Sequence, residues 1–228
     1  MKKFELTTEF ITNMFGKKLF RIKALVEFGN VKAGELGGYV EKEENVSQDG
    51  NAWVSGDARV YGDAEVSGDA RVSGNAEVSG NARVSGNARV YGNAWVSGNA
   101  EVSGNARVYG NAWVSGNAWV SGNAEVSGDA WVSGNAEVYG NARVSGNARV
   151  SSDADYALVQ GFGTEFRCTT FYRGKNKKIM VNCGCFHGDL EGFRKQVKET
   201  RNGKIAKEYL MIADLMEYHF TSEDSSNE

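Results

Sequence analysis

A six-residue unit, Asn/Asp-Ala-x-Val-Ser/Tyr-Gly, recurs seventeen times without insertion or deletion from Asn51 to Ser152 and fills nearly half of the 228-residue chain. Self-similarity at so short a period defines a solenoid, in which a unit buries its apolar face only by stacking on its neighbours. Ala and Val stand two apart, so an extended backbone sends both to one face and x to the other. Ser/Tyr-Gly-Asn/Asp reads as a turn, because Gly and Asn tolerate positive φ and Asn/Asp side chains bond their own backbone. The chain has no proline, as suits uninterrupted ladders in which each N–H needs a partner.

Ala and Val at fixed positions in all seventeen units resemble the hexapeptide repeat of left-handed parallel β-helices. That resemblance implies a coil of three hexads, eighteen residues, and a homotrimeric assembly. Just under six coils at ~4.8 Å each give a rod roughly 28 Å long. Residues x eighteen apart then stack on three outer faces. One carries Trp53, Arg71, Arg89, Arg107, Glu125 and Arg143; the next Arg59, Glu77, Trp95, Trp113, Trp131 and Arg149; the third Glu65, Arg83, Glu101, Trp119 and Glu137.

Two of these rows are candidate contact surfaces. Trp95, Trp113 and Trp131 form a row of indoles, read either as exposed contact surface or as ladder support through cross-strand packing. Arg71, Arg89 and Arg107 form a cationic row whose mutual repulsion an acidic partner would relieve, unless the side chains splay into water. Tyr91 and Tyr109 stack beside it.

The hexapeptide resemblance also implies acyl transfer with acetyl- or acyl-CoA, or zinc-dependent carbonic anhydrase chemistry, both served by histidines. The two histidines, His187 and His219, lie outside the repeat, and no loop interrupts the coils. An acetyltransferase built on this chain would therefore need an inter-subunit site using one of them. No cofactor is expected.

The segments flanking the repeat divide the chain into residues 1–44, an N-terminal cap; 45–156, the β-helix; 157–221, a C-terminal α+β module; and 222–228, an acidic tail. Leu19–Leu25 predicts a strand, and Val40 and Val46 fall in the phase of the small core residue. Beyond Ser152, Ala154 keeps that phase. Phe166–Arg173 and Lys177–Cys183 predict two strands around a turn at Gly174-Lys175-Asn176, and Asp189–Thr200 and Lys204–Phe220 predict helices. No apolar run is long enough for a signal peptide or membrane span, so a cytoplasmic location is expected.

Two sets of C-terminal residues could carry chemistry. Cys183, Cys185 and His187 alternate and, with Cys168, would make a Cys₃His set if they shared a strand face; the alternative is buried structural cysteine. Arg167, Arg173, Lys175, Lys177 and Lys178, with Phe171 and Tyr172 for stacking, suit a nucleotide, a cyclic nucleotide or single-stranded nucleic acid. A net charge of −3 argues against general nucleic-acid affinity.

Thr170-Phe171-Tyr172-Arg173, Cys183-Gly184-Cys185-Phe186-x-Gly188 and Lys207-Glu208-Tyr209-Leu210 resemble a C-terminal module of phage and prophage proteins without an established activity. Gly34-Glu35-Leu36-Gly37-Gly38-Tyr39-Val40 is similar to their N-terminal part. The expectation is a mainly β protein, a left-handed parallel β-helix with a small C-terminal α+β domain, acting in a bacterial host by binding a protein rather than by catalysis. A host protein or defence component would be its partner.

Overall fold

The computed structural model describes residues 2–221, apart from the side chain of Asn176; the acidic tail lies outside the described residues. Each hexad contributes one two-residue strand, its x-Val pair, from β4 (Trp53–Val54) to β20 (Arg149–Val150). The strands pair in parallel eighteen residues apart, Trp95 with Trp113 and Val96 with Val114. Three hexads thus close one coil, and about six coils stack into a β-solenoid. Its three sheets carry the three rows of x residues that the spacing predicts.

Every repeat Ala and Val from Ala52 to Val150 is at most 1% exposed, in one continuous core. Burying a valine contributes about 1.5–3 kcal/mol, so stacking holds together a chain with very short strands. Backbone bonds join each coil to the next: the N–H groups of Trp95, Ser97 and Asn99 donate to the carbonyls of Ala112, Val114 and Gly116 at 2.8–2.9 Å.

The turn glycines sit at positive φ. At Gly98 φ is +70°, and a Cβ there would lie 3.0 Å from the Gly116 backbone, so both conformation and coil stacking demand glycine. The asparagines behave differently from the turn chemistry expected of them. Among the described residues only Phe166 and Lys177 combine a side chain with positive φ. The Asn amides instead bond along the rod, Asn81 to Asn99 to Asn117 to Asn135 at 3.0 Å each.

At the N-terminal end β1 (Phe4–Thr12) and β2 (Lys18–Ala24) form an antiparallel hairpin, and β2 also pairs with β3 (Leu36–Val40), which joins the solenoid in parallel. Val40 faces Val60 and Val46 faces Val66, so both occupy the aliphatic position, not the small one. The offset there is twenty residues, because Gln48 and Asp49 lengthen that turn by two. The Gln48 Oε1 accepts the N–H groups of Lys3 and Phe4 at 2.7 and 3.3 Å, which ties the start of β1 across the end of the rod. Trp53 is correspondingly buried, under the rings of Phe4 and Phe28 at 6.2 and 5.4 Å, and is not part of an outer surface.

The C-terminal segment is a four-stranded antiparallel sheet, β21 (Tyr156–Phe162), β22 (Arg167–Arg173), β23 (Ile179–Cys183) and β24 (Phe186–Asp189), followed by α1 (Leu190–Thr200) and α2 (Gly203–Thr221). Sequence patterning found only the two middle strands. Ala154 does not continue the coil; it lies in a 3₁₀ turn, Asp153–Asp155, and residues 175–177 form another instead of an open turn. Asp189 caps α1, its Oδ1 accepting the Gly192 N–H at 2.9 Å, as suits an N-cap aspartate.

This sheet does not stand apart from the rod. Alternate residues of one face, Tyr156, Leu158, Tyr172 and Met180, pack into the solenoid core, while Val159, Phe171, Val181 and Phe186 pack on the helices. The sheet is a lid over the last coil, with the fully buried Tyr172 as its plug. No helix among the described residues is long and apolar enough to cross a membrane.

Lys3 seals the other end. It is 3% exposed, and its Nζ donates to the carbonyls of Asp49, Gly50 and Ala52 at 3.4, 3.3 and 3.0 Å. Burial pushes its pKa from 10.5 down to about 8, against the opposing pull of Asp49 and Asp69. Between those values the unfolded chain holds the proton more tightly than the folded one, so this group's contribution to stability rises with pH. Urea unfolding from about pH 7 to about 9.5 is expected to show wild type gaining stability relative to Lys3→Met; wild type losing stability relative to the variant over that range would be inconsistent with a buried ammonium.

Candidate functional site

The repeat fixes where x residues stand and leaves their chemistry free. Arg71, Arg89 and Arg107 are direct register partners on adjacent strands, one guanidinium per coil at ~4.8 Å. Arg107 and Arg143 share Glu125, at 3.6 and 3.7 Å. Arg71 and Arg89 have no carboxylate within ion-pair distance among the described residues. Tyr91 and Tyr109 lie on one side of the row, stacked ring on ring at 4.9 Å and 4°. Burial raises the Tyr91 pKa, with Tyr109 and Glu125 adding to the shift against Arg107 and Arg89.

On the other side runs a ladder of Asn87, Asn105, Asn123 and Asn141, bonded at 3.0–3.2 Å. The arginines and these amides, with Asp69 beside Arg71 and Glu125 beyond Arg107, line a continuous shallow groove. Asn141 and Arg143 carry it into a cleft of about 660 Å³ between the last coil and the lid, walled by Gln160, Arg167, Cys168, Thr170, Asn182 and Cys185. The sequence rows contain every arginine of the groove, but the cleft was not foreseen, because it exists only where lid and rod meet.

The tryptophan row is more self-contained. Trp95 and Trp113 lie 5.0 Å apart at 34°, Trp113 and Trp131 4.9 Å apart edge to face, and Arg149 covers Trp131 at 4.7 Å. Mutual packing leaves Trp95 and Trp113 half-buried and Trp131 43% exposed. The indole N–H of Trp113 is buried without a hydrogen-bond partner.

The structure separates the basic C-terminal set. Tyr172 and Phe171 are fully buried and offer no ring to a base. Arg173 is held in the fold: Nε lies 3.1 Å from Asp155, Nη2 donates to the Phe220 carbonyl at 2.9 Å, and the guanidinium covers the Phe220 ring at 5.5 Å. Burial would raise the Asp155 pKa, yet hydrogen bonds from Ser151 and Ser152 and the Arg173 charge hold it below the usual value. Arg167 stands at the far end of β22, ~20 Å from Arg173 at strand rise, next to Glu165 at 4.0 Å. The Lys175 N–H donates to the Asn147 carbonyl, Lys177 ends the 3₁₀ turn, and Lys178 lies 3.9 Å from Asp189.

The cysteines and His187 are separated as well. Gly184, at φ +61°, turns the chain between β23 and β24, so the alternation of Cys183, Cys185 and His187 does not run along one strand. Cys183 packs on the helix side of the lid, where the Thr169 hydroxyl donates to its sulfur at 3.1 Å. The Cys168 thiol donates to the Asn141 carbonyl on the rod side at 3.4 Å. His187 Nδ1 lies 2.6 Å from Asn182 Oδ1, and Asn182 Nδ2 donates to the Arg143 carbonyl and Ser145 hydroxyl at 2.8 and 3.0 Å. The Asn182 oxygen therefore accepts the Nδ1 proton, and His187 acts as a joint between lid and rod. His219 packs its ring on Phe220 at 4.9 Å.

Comparison with known families places the repeats. A model described as YdcK Beta solenoid repeat matches residues 76–91, 82–98, 100–116 and 136–152, all within the coils. No curated protein matches the chain.

The thiols differ in access. Cys185 is exposed, whereas burial raises the Cys168 pKa, with a smaller opposing effect of Thr170 and Arg143. Thiolate is the reactive species, so iodoacetamide at neutral pH followed by peptide mass mapping is expected to label Cys185 well before Cys168. Equal rates would mean that the lid opens faster than the reagent reacts.

Proposed function

We propose that this protein is a binding scaffold whose arginine face engages an acidic protein partner. The carrying observation is the unpaired pair Arg71 and Arg89. Two like charges ~4.8 Å apart repel by about 1 kcal/mol even at the dielectric of water, and this fold could have placed a glutamate at either position, as it does at Glu125. An approaching carboxylate relieves that repulsion and gains two guanidinium contacts. The amide ladder beside the row supplies hydrogen-bonding capacity from Asn87 to Asn141, with Asp69 in the same position beside Arg71.

The N-terminal and C-terminal resemblances support a phage or prophage origin, which would place the partner, a host protein, in the bacterial cytoplasm. Acyl transfer is the second reading, and His187, at the junction of lid and rod, would be its base. That imidazole's Nδ1 bond to Asn182 leaves Nε2 as a base, but the ring lies outside the cleft lining, so binding is preferred.

In capture experiments on host extract, wild type and the double variant Arg71→Glu/Arg89→Glu should differ by the loss of one or more proteins. Salt should weaken wild-type capture steeply. An unchanged set of captured proteins would refute the assignment to this face. The same reading assembles the chain as a homotrimer through the row Trp95, Trp113 and Trp131, supported by the exposure of Trp131. Sedimentation velocity is expected to show Trp131→Ala shifting to a smaller species; an unchanged coefficient would remove this row from the interface.

A further inference from the structure

We infer that the element recognised by the arginine face is an acidic α-helix lying along the rod, with one carboxylate per turn meeting one guanidinium per coil. This inference rests on the proposal that the face binds an acidic protein. Arg71, Arg89 and Arg107 are direct register partners, so the row rises by the inter-strand spacing of ~4.8 Å per step. A helix advances ~5.4 Å per turn. Across the two steps from Arg71 to Arg107 the mismatch is about 1.2 Å, within the reach of flexible arginine side chains. An extended peptide repeats side chains on one face every ~6.7 Å, a mismatch of nearly 4 Å over the same two steps.

Strand addition is closed to a peptide at this sheet. Its first edge lies under the cap, where Lys3 takes the Ala52 carbonyl, and its last under the lid, where Thr170 accepts the Arg143 N–H at 3.0 Å. Single-stranded nucleic acid needs free aromatic faces on which to stack bases. Here Tyr91 and Tyr109 take one face of each other and the coils on either side carry Ser73 and Ser127, so there is no run of rings on which successive bases could stack. The row also has a polarity of charge: three arginines, then Glu125, then Arg143. A fitting helix carries acids at i, i+4 and i+7, spanning about two turns, and no acid at the turn that meets Glu125.

The test uses synthetic helical peptides of roughly fourteen residues on an alanine-rich background, measured by fluorescence anisotropy at low salt. One carries glutamates in a single stripe at i, i+4 and i+7, with alanine at i+11; a second has the same composition with the glutamates distributed around the helix; oligo-dT is the third probe. The striped peptide is expected to bind about tenfold or more tighter than the distributed one. Arg89→Glu should abolish that preference, and a lysine-striped peptide should bind the variant Arg71→Glu/Arg89→Glu/Arg107→Glu. Equal binding of both acidic peptides, lost in Arg89→Glu, would overturn the helix and leave the acidic partner standing. Oligo-dT binding more tightly than the stripe would overturn the choice of a helix in favour of nucleic acid. No binding by any probe, together with unchanged capture by the double variant, would overturn both readings.

Discussion

A parallel solenoid has a direction, and both of its ends are built around that fact. Along the rod the N–H groups of the x, Ser/Tyr and Asn/Asp positions donate to carbonyls of the following coil, as Trp95 does to Ala112. The first coil is therefore left mainly with unpaired carbonyls and the last mainly with unpaired N–H groups, each costing about 1–3 kcal/mol if buried without a partner. The two ends cannot be covered by the same chemistry. At the start the side chains are donors: Lys3 serves three carbonyls, and the Asn45 amide serves Gly62 and Ala64 at 3.1 and 2.8 Å. At the finish most are acceptors, with Asp153 taking the Glu137 N–H, Thr170 that of Arg143, and Asp155 those of Ser151 and Ser152, while the Asn182 amide serves the carbonyl of Arg143.

That polarity explains what the repeat arithmetic could and could not deliver. Ala and Val at a fixed interval of two required the inward face, and the interval of eighteen sorted all seventeen x residues onto their sheets. Inside the rod each unit sees only copies of itself, so local pattern and tertiary environment agree. At the ends they diverge. Val40 and Val46 count into the small-residue phase, yet two residues inserted at Gln48 and Asp49, needed to hold β1, move both to the aliphatic position. The sequence carries a signal there, because Gln48-Asp49 stands where the repeat would have gone straight to Gly.

The lid was harder to read for a related reason. Strand β21 runs Tyr156-Ala157-Leu158-Val159 with apolar residues on both sides, because one face meets the rod and the other the helices. Alternation, the usual mark of a strand, is erased when both faces are buried. Tyr172 and Arg173 looked available to a ligand since a strand pattern does not reveal what lies above it; the rod's last coil lies above Tyr172, and Asp155 and Phe220 hold Arg173. The Cys183-Gly184-Cys185 alternation contained its own correction, a glycine placed where a tight hairpin needs positive φ.

With core and ends accounted for, the faces are where one coil can differ from another without disturbing the fold. Most rows satisfy themselves. Asparagines bond to asparagines, tryptophans pack on tryptophans with Arg149 closing the row, and Glu65, Arg83 and Glu101 alternate in sign. The row through Arg71 and Arg89 uses the same scaffold and the same spacing, yet sets like charge on like charge with no acid between them. A position free to accept Glu, Trp or Arg at equal backbone cost imposes no structural reason for that choice. The arrangement becomes favourable when something anionic meets it from outside, and this makes the arginine row, rather than the more conspicuous tryptophans, the surface to which a function is best attached.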